Sequence, residues 1–315
     1  MPAKKPENQK NKSSSPAALY IELFETVRDT LTKSINKTQI EDIISRITGH
    51  FMKWPYNDLL LYTYTYSKSN YIMAHISNNV ILSIGFGHNI GLSQDDLIEL
   101  GTCAFCHDFG MAEYIHLFQK GHQLTEEENK MIKNHPRKSA DFFKDLYSDR
   151  IIKVMLDVHE NVNGLGYPSG KSGIEISFFA KIISICDVFE ALTHPRNFRK
   201  EFNPYEAIKI IIKKKNIIFD DKVLKKFVEF MSIYPIGSIV YLNTGEIAIV
   251  TASNKGYPTR SIVQILLNPK KEIDKNHRTI DLLKDDMVYI IAPVEPKIEK
   301  EIIQVLKPRG NFNLQ

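Results

Sequence analysis

Acidic and imidazole side chains interrupt three apolar stretches of this sequence, where a helix core would otherwise be uniformly hydrophobic. His107 and Asp108 end the stretch LIELGTCAFCHDFG, Asp187 lies within ISFFAKIISICDVFEAL, and His75 lies within YIMAHISNNVILSI. A buried carboxylate without a partner is strongly destabilising unless it becomes protonated. A bound cation would satisfy all of these groups, so the pattern predicts a metal site.

Two further histidines extend this set of donors. His135 lies in IKNHP and His159 lies in LDVHENVNGLGYP. Nitrogen and carboxylate oxygen donors that need no thiolate suit iron, manganese or zinc. Each histidine alone is more typical of a core or surface position, and the prediction therefore depends on the whole set.

The elements that must position these residues are helical. Apolar residues recur at helical spacing from Pro16 and again from Gln39 to Met52, and the strongest helical pattern runs from about residue 70 to residue 232. Three helix starts carry capping signals, which are Ser93-x-x-Asp96, Thr125-x-x-Glu128 and Asn203-Pro204.

Beyond Gly237 the pattern changes to short β-branched runs, SIVYL, EIAIVTA and SIVQILL, separated by turn residues. The sequence thus predicts a mainly α protein, with N-terminal helices before a helical bundle and a small β-rich C-terminal module. We expect a disordered tail over residues 1–16, an N-terminal helical segment over 17–68, a metal-dependent domain over 69–232 and the β-rich module over 233–315.

Composition narrows the classes of function. The chain has 315 residues, a formal net charge of +4 and three cysteines. The small charge gives no reason to expect nucleic-acid binding, and neither a secretory signal nor a membrane span is evident. We therefore predict a cytoplasmic protein that binds neither nucleic acid nor a membrane, and composition leaves its oligomeric state open.

The order of these motifs resembles the HD-GYP branch of the HD superfamily. H-D-x-G begins at His107, L-T-x-x-E precedes His135, H-E-x-x-x-G-x-G-Y-P begins at His159, and D-V-x-x-A-L-T begins at Asp187. The similarity covers about residues 70–232. It implies an HD-superfamily helical bundle that hydrolyses cyclic di-GMP, or a related cyclic dinucleotide, at a centre of two or three metal ions.

The resemblance also implies roles for individual residues. One metal would be held by His75, His107, Asp108 and Asp187. Asp108 would bridge to a second ion, which would also be held by His135 and His159. His107 and Asp108 would form the centre of catalysis, where a hydroxide bridging the ions attacks phosphorus. Arg196 and Arg199 would contact the substrate phosphates. A shaping or partner-contact role, with diguanylate-cyclase-type domains as candidate partners, would fall to the loop residues Gly164, Gly166, Tyr167 and Pro168.

Four positions depart from the family pattern. Tyr71 stands where the family has a glutamate, which argues against a third ion, and Met111 replaces a lysine expected to contact phosphate or donate a proton. Val158 replaces the first histidine of an H-H-E triplet, which leaves the second ion short of a ligand. Asn163 replaces an aspartate. We therefore expect one or two divalent ions, iron or manganese.

These departures leave alternatives open. A domain with a weakened second site could act as a cyclic-dinucleotide sensor or a protein-interaction scaffold, and an HD enzyme could act on another phosphate ester such as a nucleotide or an alarmone. Cys103-x-x-Cys106-His107 matches the attachment motif of c-type haem. Because the motif lies in an apolar helical stretch, we interpret both cysteines as small buried residues.

Overall fold

The computed structural model describes residues 15–54, 58–64, 71–118, 123–195, 201–295, 298–299 and 301–302. Its α-helices, in chain order, are α1 (Pro16–Thr32), α2 (Lys37–Lys53), α3 (Asp58–Leu61), α4 (Tyr71–Asn89), α5 (Gln94–Cys106), α6 (Ile115–Phe118), α7 (Glu126–Ile132), α8 (His135–Phe143), α9 (Asp149–Asp157), α10 (Phe178–Thr193), α11 (Pro204–Ile212) and α12 (Asp221–Met231). Short 3₁₀ helices lie at Tyr62–Tyr64, Phe109–Tyr114 and Gly173–Glu175. The strands are β1 (Ile239–Leu242), β2 (Ile247–Asn254), β3 (Tyr257–Leu267), β4 (Thr279–Asp281) and β5 (Ile290–Pro293). This order of helices and strands confirms the predicted mainly α fold with a small β-rich end.

Helix α4 lies at the centre of the bundle. Nearly all of it is buried, and it packs against α1, α2, α5 and α10. A helix buried on every side carries polar residues only where they find partners. His75 and the neighbouring pair Asn78 and Asn79 are such residues, each at most 2% exposed. Each of these three side chains therefore needs a polar partner inside the bundle.

The predicted helix starts are confirmed. The Ser93 hydroxyl accepts a hydrogen bond from the Asp96 amide at 3.2 Å, and Thr125 forms a complete capping box with Glu128. The Asn203 side chain accepts from the amide three residues later at 2.8 Å. These caps satisfy amides that the helix itself leaves unpaired, and they place the start of each helix.

The C-terminal strands form one antiparallel sheet in the order β4-β3-β2-β1-β5. Apolar clusters cover both of its faces, and α12 packs against β3. At this junction the Ser232 hydroxyl donates to the Pro258 carbonyl at 2.6 Å. The three predicted runs form β1 to β3, whereas the edge strands β4 and β5 were not anticipated because they are short.

Three remaining observations bear on the sequence predictions. Cys103, Cys106 and Cys186 are buried thiols in the helical core, as expected of small apolar residues. Helix α1 begins at Pro16, the last residue of the segment predicted to be disordered, and residues 1–14 lie outside the described residues. Over the part of the chain described here, no helix combines the length and hydropathy needed to cross a bilayer.

Candidate metal centre

Asp108 lies between two groups of donors, directly after α5. The first group joins His75 of α4, His107 at the end of α5, Asp108 itself and Asp187 of α10, and one donor atom of each lies within 4.8 Å of the others. His75 Nε2 lies 3.1 Å from Asp108 Oδ2 and 3.0 Å from Asp187 Oδ1. Three separate helices therefore converge on one point.

The second group uses the other oxygen of the same carboxylate. Asp108 Oδ1 lies 3.1 Å from His135 Nε2 and 3.5 Å from His159 Nε2, and the two nitrogens are 2.8 Å apart. His135 is the first residue of α8, and His159 follows α9. The same Oδ1 lies 3.7 Å from His107 Nε2 of the first group, so the Asp108 carboxylate contacts both groups.

Hydrogen bonds at the far side of three histidine rings fix which nitrogen faces the centre. His107 Nδ1 lies 2.8 Å from the Ala104 carbonyl, and His135 Nδ1 lies 2.8 Å from the Ile132 carbonyl. A carbonyl only accepts, so each Nδ1 carries the proton. His75 Nδ1 donates in the same way to the carboxylate of Glu190. The lone pair of each Nε2 is then directed toward Asp108, as metal-binding histidines require.

Burial and unpaired atoms test whether a cation fits these residues. His107 is 0% exposed and Asp108 is 4% exposed. Among the described residues, neither His107 Nε2 nor Asp108 Oδ1 forms a hydrogen bond. A buried carboxylate oxygen and an imidazole lone pair that lack hydrogen-bond donors fit a divalent cation.

A cavity of about 250 Å³ opens over both groups. Its lining includes the donors His75, Asp108, His135, His159 and Asp187 together with Tyr71, Met111 and Tyr167. The centre therefore lies at the wall of a space that a ligand can enter.

Two tyrosine rings shape this cavity. The Tyr71 ring stacks on His75 with centroids 5.6 Å apart, and the Tyr167 ring stacks on His159 at 5.1 Å with planes 6° apart. Burial raises the pKa of the Tyr167 hydroxyl, so this phenol remains neutral. Tyr71 supplies an aromatic face where the family pattern has a carboxylate.

Glu160 holds the loop that carries Tyr167 by hydrogen bonds. This glutamate is 2% exposed, and its carboxylate accepts from the amides of Ser169 at 2.7 Å and Lys171 at 2.9 Å. Gly166 packs so closely that an added Cβ would lie 2.3 Å from the Asn161 nitrogen. Glycine at this position is therefore a requirement of packing.

We expect Glu160→Ala to lower the free energy of unfolding by about 2 kcal/mol, since two loop amides lose a charged acceptor. Urea denaturation measures this change. The matched control is Glu175→Ala, which removes an exposed glutamate that accepts from the Ser172 amide in the same loop. A decrease no larger than that of the control would contradict the role of Glu160.

The structure brings together all six residues proposed as ligands, and Gly164, Gly166, Tyr167 and Pro168 form the adjoining loop. Arg196 and Arg199 lie outside the described residues. Met111 lines the cavity, whereas Val158 is fully buried in the hydrophobic core. His194 contacts Glu190, with Nδ1 3.2 Å from Oε1.

Three polar residues around the centre were missed from the sequence. Glu190 contacts His75 and accepts from Asn78, and Asn79 Nδ2 donates to Asp187 Oδ1 at 3.1 Å. Their signal was present, because Asn78 and Asn79 follow His75 by three and four residues, and Glu190 follows Asp187 by three. At those spacings side chains share one face of a helix.

Comparison with known proteins agrees with this geometry. Residues 72–223 match the HD domain family, and residues 239–301 match the KOW domain associated with HD domain. A cyclic di-GMP phosphodiesterase of Pseudomonas aeruginosa is 26% identical over 286 residues, which cover 90% of this chain and 68% of that protein. The cyclic di-GMP phosphodiesterase PdeB of Borreliella burgdorferi is 31% identical over 215 residues, covering 67% of this chain and 56% of that protein.

A solved structure shows the same fold. The HDG"Y"P protein Bd1817 from Bdellovibrio bacteriovorus superposes with a TM-score of 0.57 at 17% identity, covering 70% of this chain and 73% of that one. The motifs at His107-Asp108 and Gly164–Pro168, the family match and these relatives agree. Residues 72–223 of this chain belong to the HD domain family, and their motifs are those of its HD-GYP branch.

Proposed function

We propose that this chain is a metal-dependent phosphodiesterase that hydrolyses cyclic di-GMP, or a related cyclic dinucleotide, to a linear dinucleotide or GMP. The observation that carries the proposal is the convergence of two donor groups on Asp108 at the wall of a cavity. The names of the relatives support the substrate class. Because the chain spans only 56% of the second relative, the activity and substrate remain proposals for this chain.

The donor set supports the choice of metal. Four donors form the first group and three form the second, and all of them are imidazole nitrogens or carboxylate oxygens. The three buried cysteines are not among these groups. We propose iron or manganese, because harder nitrogen and oxygen donors without thiolates suit these ions. One or two ions would be held, with Asp108 shared between them.

When bound, such ions lower the pKa of a bound water and neutralise charge on phosphoryl oxygens. The chain supplies orientation. The backbone carbonyls behind His107 and His135, and Glu190 behind His75, hold three imidazole rings with Nε2 toward Asp108. Preorganised donors need no rearrangement as charge develops in the transition state.

Other residues would control how the substrate is bound and how water reaches the second group. Tyr167 covers one face of His159 and narrows access of water to the second group. Met111 supplies no charge at the position of the family's lysine, so contact with the phosphates falls to Arg196 and Arg199 in our proposal. The cytoplasmic location and the contact of the Gly164–Pro168 loop with a diguanylate-cyclase-type domain also stay predictions.

Metal removal tests the proposed function. The full chain is stripped with a chelator, reloaded with Mn(II) or Fe(II) under low oxygen, and incubated with cyclic di-GMP or 3'3'-cGAMP. We expect no turnover without metal and a linear product after reloading, because the chemistry depends on the ions. Chromatography measures the product, and elemental analysis gives the number of ions per chain.

Each contrary result has a distinct meaning. Tight dinucleotide binding without turnover under every metal condition would contradict the hydrolase and favour the sensor or scaffold. Turnover of a nucleotide or alarmone, but of neither cyclic dinucleotide, would contradict the substrate class alone.

A further inference from the structure

A chain of buried hydrogen bonds connects the N-terminal helix α1 to the first donor group. The Tyr20 hydroxyl donates to Asn78 Oδ1 at 3.0 Å, and Asn78 Nδ2 donates to Glu190 Oε1 at 3.0 Å. The second oxygen of Glu190, Oε2, accepts from His75 Nδ1. Residues of α1, α4 and α10 therefore form one continuous path that ends on a proposed metal ligand.

Every residue of this hydrogen-bonded path is buried. Tyr20 is 6% exposed, Asn78 is 0%, Glu190 is 1% and His75 is 2%. Apolar side chains of similar volume at such positions would avoid the desolvation of a carboxylate and an amide. Packing alone therefore does not account for a glutamate in the interior, whereas orientation of the imidazole does.

The group that accepts a hydrogen bond from His75 Nδ1 differs from the groups that accept from Nδ1 of His107 and His135. His107 and His135 are oriented by backbone carbonyls of their own local segments. His75 is oriented by a charged side chain, which strengthens the basicity of the ring as well as fixing its direction. That side chain is itself held by Asn78, and Asn78 by a residue of α1.

The last hydrogen bond of this path comes from a residue outside the matched HD domain. The match to the HD domain family begins at residue 72, whereas Tyr20 lies in α1, before that match. α1 packs directly against α4, and Tyr20 reaches Asn78 one turn along α4 from His75. The centre is thus completed by a segment outside the matched domain.

We propose that Glu190, Asn78 and Tyr20 are positioning residues that set the metal affinity of the first donor group, so that α1 is a working part of the metal centre. This inference rests on the metal binding in the proposed function. It assigns to α1 a role beyond covering the bundle.

The test is a titration of the metal-free full chain with Mn(II), in which electron paramagnetic resonance counts the free ion. A His135→Ala background removes a ligand of the second group, so that binding reports the four donors of the first. We expect Glu190→Gln to weaken this binding by about 10- to 100-fold, as loss of an outer carboxylate does elsewhere. Tyr20→Phe, which keeps the ring, is expected to weaken it by about three- to tenfold, the worth of one buried hydrogen bond.

Tyr62→Phe is the matched control. Its ring stacks on Tyr20 with centroids 5.9 Å apart, and the change likewise deletes one hydroxyl beside the path without breaking a link. We expect unchanged affinity. In an Asp187→Ala background, which reports the second group, Glu190→Gln and Tyr20→Phe are also expected to leave Mn(II) affinity unchanged, whereas general loosening of the fold would weaken both groups.

Failure of this inference can be told from failure of the proposed function. If the unmodified chain binds no Mn(II), Fe(II) or Zn(II), the metal centre itself is wrong, and the inference is overturned with it. If the unmodified chain binds metal while Tyr20→Phe and Glu190→Gln retain full first-group affinity, or lose affinity at both groups equally, only the inference is overturned.

Discussion

Replacing Asp108 with alanine is expected to abolish metal binding at both donor groups and to lower turnover by about a thousandfold or more, because the ions supply the reactive water and the charge stabilisation. This carboxylate contacts donors of both groups, with Oδ2 3.1 Å from His75 Nε2 and Oδ1 3.1 Å from His135 Nε2. One substitution therefore removes a donor from each. Elemental analysis of the purified chain and chromatography of the products measure the two effects.

Two comparisons make this result specific. Asp141→Ala removes an exposed aspartate from α8 and is expected to leave metal content and turnover unchanged. Asp187→Ala removes a donor from the first group only, so its chain should retain an ion in the second. If Asp108→Ala kept one ion while Asp187→Ala lost both, Asp187 rather than Asp108 would be the shared carboxylate.

The donors were predictable because they break an apolar pattern. Asp187 and His75 lie within helices whose other residues are hydrophobic, and a buried ionisable group requires a partner wherever the helix packs. The order of the separated motifs then distinguished one family from general metal binding. The sharing of Asp108 was implied by the family resemblance rather than by sequence spacing, and the directions of its oxygens follow from how α4, α8 and α10 pack around it.

The support behind the donors was harder to predict for a physical reason. The spacing of Asn78 and Glu190 from the donors places them on the same helix faces, but only the packing of α10 against α4 shows that they contact each other. The same holds for the sheet. The strands β4 and β5 are short, with three and four residues, so their pairing is set by distant partners rather than by their own alternation.

Gly110→Ala is the second large effect that we expect, since the glycine of H-D-x-G lies where two segments touch. An added Cβ would lie 2.2 Å from the His135 carbonyl oxygen and 2.8 Å from the Ser139 nitrogen, and both are backbone atoms that a rotamer change cannot move. The Gly110 amide also donates to the Ser139 hydroxyl at 2.8 Å. The start of α8 must therefore shift, and His135 must shift with it.

We expect this variant to lose about 3 kcal/mol in the free energy of unfolding, the upper range for overpacking, and to lose the ion of the second group while the first group keeps its four donors. Urea denaturation and metal content per chain measure these outcomes. Gly49→Ala is the matched control, because no atom beyond the neighbouring backbone of its own helix lies within 4 Å of the added Cβ, and alanine favours the helix. Equal stability of the two variants, with both ions retained, would show that contact between Gly110 and α8 does not position His135.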